Sequence, residues 1–166
     1  VLVGLRSGAL YSVPRDGERL SLPSLSGRVK ALAADGTRYA VGGDGVLQVR
    51  ALDSKAVTTV DRTTLALEFG PKGVLFAGVE RSILELEGSA VVRVYSGHRD
   101  TVTALSSGPQ LASGDAEGTV RIWHPDGELF TAWRVFEPGV QSLTWTSDGS
   151  KLIVAPRGRV LEAWSV

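Results

Sequence analysis

The two histidines, His98 and His124, are the residues of this sequence best suited to binding a metal or transferring a proton. No cysteine accompanies them, so a thiolate metal site and a disulfide framework are both excluded. The repeat pattern described below predicts that the two histidines lie at opposite ends of one sheet. We therefore expect both to be structural, and we expect no metal ion or other cofactor.

Acidic and glycine-rich stretches are the other candidates for chemistry. Glu85 and Glu162 share one predicted repeat position, and two carboxylates could act as an acid and a base if they met. Since they fall two units apart, we expect them to be separate, partly hydrated side chains. The GGDG stretch at 42–45 joins two predicted strands, whereas phosphate-binding loops precede a helix, so it predicts a tight hairpin. The DAEG turn at 115–118 has too few oxygen ligands for calcium, and no GxSxG or Ser-His-Asp pattern is present, so the sequence predicts no enzyme.

The composition is that of a folded protein without a charge bias. The 166 residues are 43% hydrophobic and contain 18 basic and 18 acidic residues. This neutral balance gives no reason to expect nucleic acid or an anionic membrane as a partner. No apolar run reaches the roughly 20 residues of a membrane-spanning helix, and we predict a cytoplasmic location. Since methionine is missing even at position 1, we expect the sequence to begin after a native start.

Five segments share the pattern of an apolar strand, a tight turn and a second strand. The segments are LVGLRSGALYSV (2–13), YAVGGDGVLQVR (39–50), LFAGVERSILEL (75–86), LASGDAEGTVRIW (111–123) and LIVAPRGRVLEAW (152–164). The residues that open their second strands recur 37, 36, 37 and 40 residues apart. Four of the pairs are preceded by an alternating leading strand, at 28–33, 64–69, 101–106 and 140–145, and four are followed by a trailing strand, at 19–22, 56–60, 90–95 and 129–136. Four antiparallel strands recurring every ~40 residues are the repeat of a β-propeller blade, a sheet that must stack on its neighbours.

One unit also carries the letters of a known repeat, with Gly97-His98, LASG at 111–114 and TVRIW at 119–123. This stretch resembles a WD40 repeat, and by spacing the resemblance extends over nearly the whole chain. The resemblance implies a buried hydrogen-bonded set made of His98, Ser113, Glu117 and Trp123. The other units are predicted to have Val13, Arg50, Leu86 and Ala163 in the place of the tryptophan.

The sequence therefore predicts an all-β fold, a WD40-like β-propeller of four-stranded antiparallel blades. We predict a single propeller domain or segment at 1–166, with units at about 1–23, 28–60, 64–95, 97–136 and 140–166. Three units are complete, and the first and last lack one strand each. We favour part of a larger ring whose remaining blades lie on another polypeptide or outside these 166 residues, over two copies sharing one ring and over a small ring that closes alone. The first two arrangements predict a second protein chain as a partner, because open strand edges and apolar faces favour association.

The resemblance implies that the turns and the connections between blades gather on one face. The predicted interaction surface consists of Arg6, Arg28, Asp44, Thr64, Glu80, Arg99, Thr101 and Arg157, and arginines are good interface anchors. We interpret the chain as a non-catalytic protein-interaction or scaffold module. One alternative is a sensor or regulatory domain of a larger signalling or NTPase protein. The other is a propeller enzyme with an active site in the central channel, which the few ionisable residues of the leading strands disfavour.

Overall fold

The computed structural model describes residues 2–13, 18–52, 57–135, 139–158 and 160–166. These residues form 18 β-strands and one 3₁₀ turn at Pro71–Gly73, and they contain no other helix. Period-2 alternation of apolar residues favours the strands, and glycine-containing turns end many of them. The first sheet contains β1 Leu2–Gly4, β2 Leu10–Ser12 and β3 Leu20–Leu22, and the second contains β4 Val29–Ala34, β5 Arg38–Gly43, β6 Leu47–Ala51 and β7 Val57–Val60. The third sheet contains β8 Ala66–Phe69, β9 Leu75–Val79, β10 Ser82–Glu87 and β11 Ala90–Ser96, and the fourth contains β12 Val102–Ser107, β13 Leu111–Asp115, β14 Thr119–Trp123 and β15 Leu129–Arg134. The fifth sheet contains β16 Val140–Trp145, β17 Lys151–Pro156 and β18 Glu162–Ser165.

The strands form five antiparallel sheets in which neighbours in sequence are neighbours in space. The first and fifth sheets have three strands, and the other three sheets have four. This confirms the predicted all-β class and the predicted pattern of three complete units between two incomplete ones. Val1, Ala56 and Phe136, which bound predicted units or strands, lie outside the described residues. The assignment of 1–166 to a single domain stays a prediction.

The leading strands of four sheets lie at the centre of the molecule. β4, β8, β12 and β16 contact one another in chain order. Together they line a central channel of about 290 Å³. The remaining strands of each sheet extend outward from this channel.

Apolar side chains fill the space between successive sheets. Between the third and fourth sheets, Phe76, Ile83, Tyr95 and Trp123 pack in one cluster. Val120 and Ile122 of the fourth sheet form a similar cluster with residues of the fifth. Because a single sheet cannot bury both of its faces, this stacking supplies the core.

A glycine on each of the strands β1, β5, β9 and β13 lies against a residue at or just before the start of the next leading strand. A Cβ atom placed on Gly114 would lie 2.5 Å from Val140 Cγ1, closer than any real contact. The corresponding distances are 2.7 Å between Gly4 and Val29, 2.9 Å between Gly42 and Thr64 and 3.0 Å between Gly78 and Val102. These four glycine contacts therefore allow the close approach of neighbouring sheets.

The strand register of the fifth sheet corrects one predicted equivalence. Leu111 pairs with Trp123 in the fourth sheet, and Leu152 pairs with Trp164 in the fifth. Trp164, and not Ala163, therefore occupies the place of Trp123. Aligning the two segments from their first leucine gives the same answer, because twelve positions separate the leucine from the tryptophan in both.

Candidate functional site

A buried hydrogen-bonded set lies inside the fourth sheet. The Trp123 Nε1–H donates to Ser113 Oγ at 2.7 Å, and Ser113 Oγ lies 2.7 Å from His98 Nε2. His98 Nδ1 lies 2.8 Å from Asp115 Oδ2. An indole can only donate and an ionised carboxylate can only accept, so this network assigns the Ser113 hydroxyl as donor to Nε2 and His98 Nδ1–H as donor to Asp115.

The acid of this set is Asp115, and the prediction of Glu117 is wrong. Glu117 is exposed in the turn, where its backbone N–H donates to Asp115 Oδ1 at 3.1 Å. Ser113 and Asp115 are two residues apart on β13, so their side chains lie on the same face of the strand. Burial on its own raises the pKa of Asp115, but hydrogen bonds from His98 and from the backbone N–H groups of Thr119 and Glu117 outweigh it. The pKa of Asp115 is therefore lowered below the ordinary carboxyl value.

This set is structural, because solvent does not reach it. The side chains of His98 and Asp115 are both 0% exposed. Together with Ser113 and Trp123 they tie the connection before β12 to β13 and β14. Hydrogen bonds to a charged group of this kind stabilise a fold by about 1.5–3 kcal/mol each.

The two glutamates considered for catalysis have separate structural roles. Glu85 accepts hydrogen bonds from the Tyr95 hydroxyl at 2.7 Å and from Arg93 Nε at 3.1 Å. Burial and the Glu85 carboxylate raise the pKa of the Tyr95 phenol, which stays a neutral donor. Glu162 on β18 accepts from Trp164 Nε1 at 3.1 Å. The structure therefore does not bring the two carboxylates together.

The register also separates these glutamates in the repeat. Glu85 pairs with Phe76 on the strand before it. The corresponding pair of the fifth sheet is Ile153 with Ala163, and Glu162 lies one residue earlier. Since side chains alternate along a strand, the predicted shared position is wrong.

The described residues show no arrangement that would hold a metal. His124 packs edge-on against Phe130, with ring centroids 5.1 Å apart. His98 has different partners, because it belongs to the buried hydrogen-bonded set. Within the described ranges, no three His, Cys, Asp or Glu side chains form a group that could bind a metal ion. The same residues include no helix of the length and apolar character needed to cross a membrane.

Irregular starts of the leading strands direct side chains toward one end of the central channel. The register shifts between Val29 and Ala31, between Val102 and Ala104 and between Val140 and Ser142. The extra residues are Lys30, Thr103 and Gln141, and Leu65 takes the corresponding place just before β8. All four line both the channel and a cavity of about 390 Å³ at its end. A β-bulge takes one residue out of the strand alternation, which explains how these side chains turn to the opening.

Three of the predicted surface arginines meet at this cavity, which we call the channel mouth. Arg6 and Arg157 come from turns of the first and fifth sheets, Arg28 from the connection before β4, and Lys30 lies beside them. The Asp44 carboxylate forms an ion pair with Lys30 Nζ and lies 4.0 Å from Arg28 Nε. The hydrogen bond from Lys30 lowers the pKa of Asp44. The structure thus places four of the predicted surface residues at or beside one opening.

Three other predicted surface residues lie on the same side but do not line the channel mouth. Glu80 and Arg99 are exposed, and Thr101 is half-buried. The backbone N–H of Val102 donates to the Glu80 carbonyl at 2.7 Å, and that of Ala116 donates to the Thr101 carbonyl at 2.9 Å. These bonds show that turns and connections share this side of the molecule. A role of the three residues in binding stays a prediction.

The prediction that Thr64 is a surface residue is wrong. Thr64 is 0% exposed, because it fills the space above Gly42 in one of the four glycine contacts. Its neighbour Thr63 is exposed instead, and the Thr63 hydroxyl accepts a hydrogen bond from the Gly45 N–H at 2.8 Å.

Sequence reasoning missed Lys30, Thr103 and Gln141 as residues of the channel mouth. Their signal in the sequence is their position, one residue after the first apolar residue of a leading strand. Strand alternation alone does not locate a bulge, so the letters did not distinguish these side chains from ordinary strand residues.

The stacked antiparallel sheets around a channel place this chain in the class of β-propellers. The family model described as "WD domain, G-beta repeat" matches residues 89–124. The match covers the outermost strand of the third sheet and three strands of the fourth, so the sequence repeat joins two neighbouring sheets. Residues 89–124 therefore match a WD40 repeat, and the resemblance stated from the sequence is confirmed at this unit.

Other proteins resemble longer parts of the chain. "Actin-interacting protein 1-2" of Arabidopsis thaliana is 28% identical over 105 residues, covering 53% of this chain and 17% of that protein. "Eukaryotic translation initiation factor 3 subunit I" of Aspergillus oryzae is 33% identical over 70 residues, covering 40% of this chain and 21% of that protein. The chain thus spans about a fifth of the length of these relatives.

A solved structure resembles the whole fold. The crystal structure of the computationally designed Ika8 protein matches with a TM-score of 0.81 at 20% identity. The match covers 99% of this chain and 55% of that chain. At this identity the likeness concerns the fold alone, and it places all five sheets within about half of a longer chain.

Proposed function

We propose that this chain is a non-catalytic protein-interaction or scaffold module of the WD40 type, with the channel mouth in its binding surface and another protein as its partner. The observation that carries the proposal is the convergence of Arg6, Arg28, Lys30 and Arg157 from different sheets on one opening. Packed sheets hold the backbone at these positions in place, so binding does not require the sheets to become ordered. A cytoplasmic location is part of the same proposal.

The open ends of the sheet series support a partner chain. Among the described strands, the first sheet has no leading strand beside β1, and the fifth sheet has no trailing strand beside β18. The unpaired backbone groups of such edges are templates for a further strand. Val160, Leu161 and Trp164 near β18 are 85%, 64% and 38% exposed. A neighbouring segment, from a larger ring or from a second copy, would cover this apolar surface.

The relatives are in keeping with an interaction role. One is named for interaction with actin, and another is named as a subunit of a translation initiation factor. Both names describe association with other proteins. We extend only that general role to this chain, since it spans a small part of each relative.

Lysine labelling of the native assembly tests the proposal. Lys30 lies at the channel mouth, whereas Lys72 and Lys151 lie at the opposite ends of their sheets. We expect native mass spectrometry to give a mass larger than that of one copy of the protein. An amine-reactive reagent should label Lys30 less in the assembly than after dissociation, while Lys72 and Lys151 react equally in both.

A native mass equal to one copy, with labelling of all three lysines unchanged by dissociating conditions, would leave no partner for the scaffold. The two control lysines exclude a general loss of reagent access as the cause of Lys30 protection.

A further inference from the structure

The channel mouth concentrates positive charge on a molecule that has none overall. Arg6, Arg28, Lys30 and Arg157 line it, and none of the described lining residues is acidic. The chain as a whole has a formal net charge of zero. Asp44 lies beside the opening, but one carboxylate offsets only one of the four cations. A concave site lined by one sign of charge focuses its field and attracts the opposite charge.

Two of these cations have no partner of their own. Arg6 and Arg157 are exposed, and in the described chain neither side chain has an ion pair or a hydrogen bond. A guanidinium presents a planar fork of donors that matches a carboxylate in two parallel hydrogen bonds. The guanidinium N–H donors of Arg6 and Arg157 are therefore available to an anionic group that enters the opening.

We propose that the channel mouth binds an acidic peptide segment of the partner protein, with Arg6 and Arg157 as the anchors for its carboxylates. This inference rests on the proposed function and names the chemistry of the partner. Arg28 and Lys30 supply the remaining positive field, and the amide of Gln141 offers a further polar contact at the rim of the channel.

The dimensions and the floor of the cavity favour a peptide over a nucleic acid. Its volume of about 390 Å³ holds a few side chains, and Val29, Leu65 and Val140 give it an apolar floor. A peptide can offer acidic and apolar side chains together. Proteins that bind single-stranded nucleic acids commonly stack the bases on aromatic side chains, and no aromatic residue lines the described opening.

Asp44 acts as an internal competitor for the ligand. Its carboxylate already pairs with Lys30 and lies 4.0 Å from Arg28. It therefore occupies a position where a carboxylate of the peptide would bind. Removing this charge should strengthen binding of an acidic peptide, whereas removing Arg6 and Arg157 should weaken it. Opposite effects of two charge removals at one opening are specific to an anionic ligand.

Fluorescence anisotropy of the intact protein with three probes tests the inference. The probes are a labelled short peptide of alternating glutamate and glycine, the same peptide with glutamine for glutamate, and oligothymidine of equal charge. Arg6→Gln/Arg157→Gln should weaken binding of the glutamate peptide about tenfold. Asp44→Asn should tighten it about threefold, and rising salt should weaken it because exposed charges are screened within about 10 Å at 0.1 M.

The matched control is Lys72→Gln/Lys151→Gln, which removes the same charge from exposed residues on the other side of the molecule. We expect this control to bind the glutamate peptide like the parent protein, and the glutamine peptide to bind to none of the variants. Melting curves of both double variants should match that of the parent, since all four side chains are exposed.

Three results would overturn the inference. They are unchanged binding by the arginine double variant, an equal loss in the lysine control, and binding of oligothymidine as tight as that of the glutamate peptide. If any of them occurs while Lys30 is still protected in a native assembly, the scaffold role stands and only the acidic ligand is wrong. If no assembly exists, the proposed function itself fails.

Discussion

The interface between the third and fourth sheets and the one between the fourth and fifth use the same pair of positions. In the first, Tyr95 packs against Trp123 with ring centroids 5.7 Å apart and planes at 76°. In the second, Trp133 packs against Trp164 at 5.5 Å and 40°. The strand registers make Tyr95 and Trp133 equivalent, and likewise Trp123 and Trp164.

The two interfaces differ in what surrounds the aromatic pair. Trp123 is 1% exposed, whereas Trp164 is 38% exposed at the edge of a sheet of only three strands. The Trp123 indole donates to Ser113, but the fifth sheet has Val154 at that position. Among the described residues, the buried Trp133 Nε1 has no hydrogen-bond partner.

The comparison teaches that an aromatic contact between sheets is not sufficient to bury both of its rings. The ring separations are nearly equal, so the contact itself does not distinguish the two interfaces. The Trp164 indole donates to Glu162 in an exposed hydrogen bond, so a fourth strand and a buried polar partner for the indole distinguish the two interfaces. Both interfaces contain a cluster of buried apolar residues, and they differ in how far the aromatic pair is buried.

The largest expected effect is that of Trp123→Ala. This substitution removes a fully buried indole and its hydrogen bond, and we expect it to lower the free energy of unfolding by about 3–5 kcal/mol. Urea denaturation followed by circular dichroism measures the change. A loss below about 1 kcal/mol would contradict the placement of Trp123 in a packed core.

Asp115→Asn should be next in size and should change the pH dependence of stability. We expect a loss of about 1.5–3 kcal/mol at neutral pH, because the ionised carboxylate accepts several buried hydrogen bonds. The pKa of Asp115 is lowered in the folded protein, so its stabilisation is complete above the ordinary value of about 3.9. It is lost as the pH falls through the folded-state pKa.

Unfolding free energies measured from neutral to acidic pH test this expectation. The parent protein should lose stability below about pH 4, and Asp115→Asn should show a flatter profile there. The exposed Asp61 offers a control in Asp61→Asn, which should leave the acidic profile unchanged. Equal acid profiles for the parent and Asp115→Asn would show that this carboxylate does not contribute.

Ser113→Ala isolates the polar partner from the aromatic contact. It leaves the Trp123 N–H and His98 Nε2 without their shared hydroxyl, at an expected cost of about 1–2 kcal/mol. The indole N–H of Trp123 should also exchange faster with deuterium in NMR spectra. The control is Ser142→Ala, which should change neither measurement. Ser142 is exposed, and the second and third sheets already have alanine, Ala31 and Ala66, at the same position. Unchanged indole exchange in Ser113→Ala would remove the hydroxyl from the account.

Trp164→Ala should have the smallest effect of the four, about 1 kcal/mol, because the side chain is only partly buried. Val160→Ala, at an 85% exposed residue of the same region, is the control and should be neutral. If Trp164→Ala cost as much as Trp123→Ala, the two interfaces would be equally complete and the contrast between them would be wrong.

Much of the fold follows from the sequence because strands and turns leave local signals. Period-2 alternation and the spacing of the turns predict the five sheets and their strand numbers. The motif letters also bring together His98, Ser113 and Trp123, as the structure shows. The acid was misassigned to the turn, although the alternation of β13 places Asp115 on the same face as Ser113.

The candidate site was less predictable, because it depends on irregular backbone. Arg6, Arg28 and Arg157 were found from their places in turns and connections, which the repeat defines. Thr64 was placed on the surface and Lys30 was overlooked for one physical reason. A displaced residue at the start of a leading strand changes which side chain is buried, and residue types do not reveal where that happens.

The four glycine contacts set the distance from each sheet to the next by leaving out a methyl group. β17 has Ala155 at the corresponding place, so any further sheet stacked there would have to accommodate a Cβ atom. The absent Cβ atoms of Gly4, Gly42, Gly78 and Gly114 thus allow each sheet to approach the next at regular intervals along the chain. A Cβ atom at any of these four positions would force the next sheet to move away.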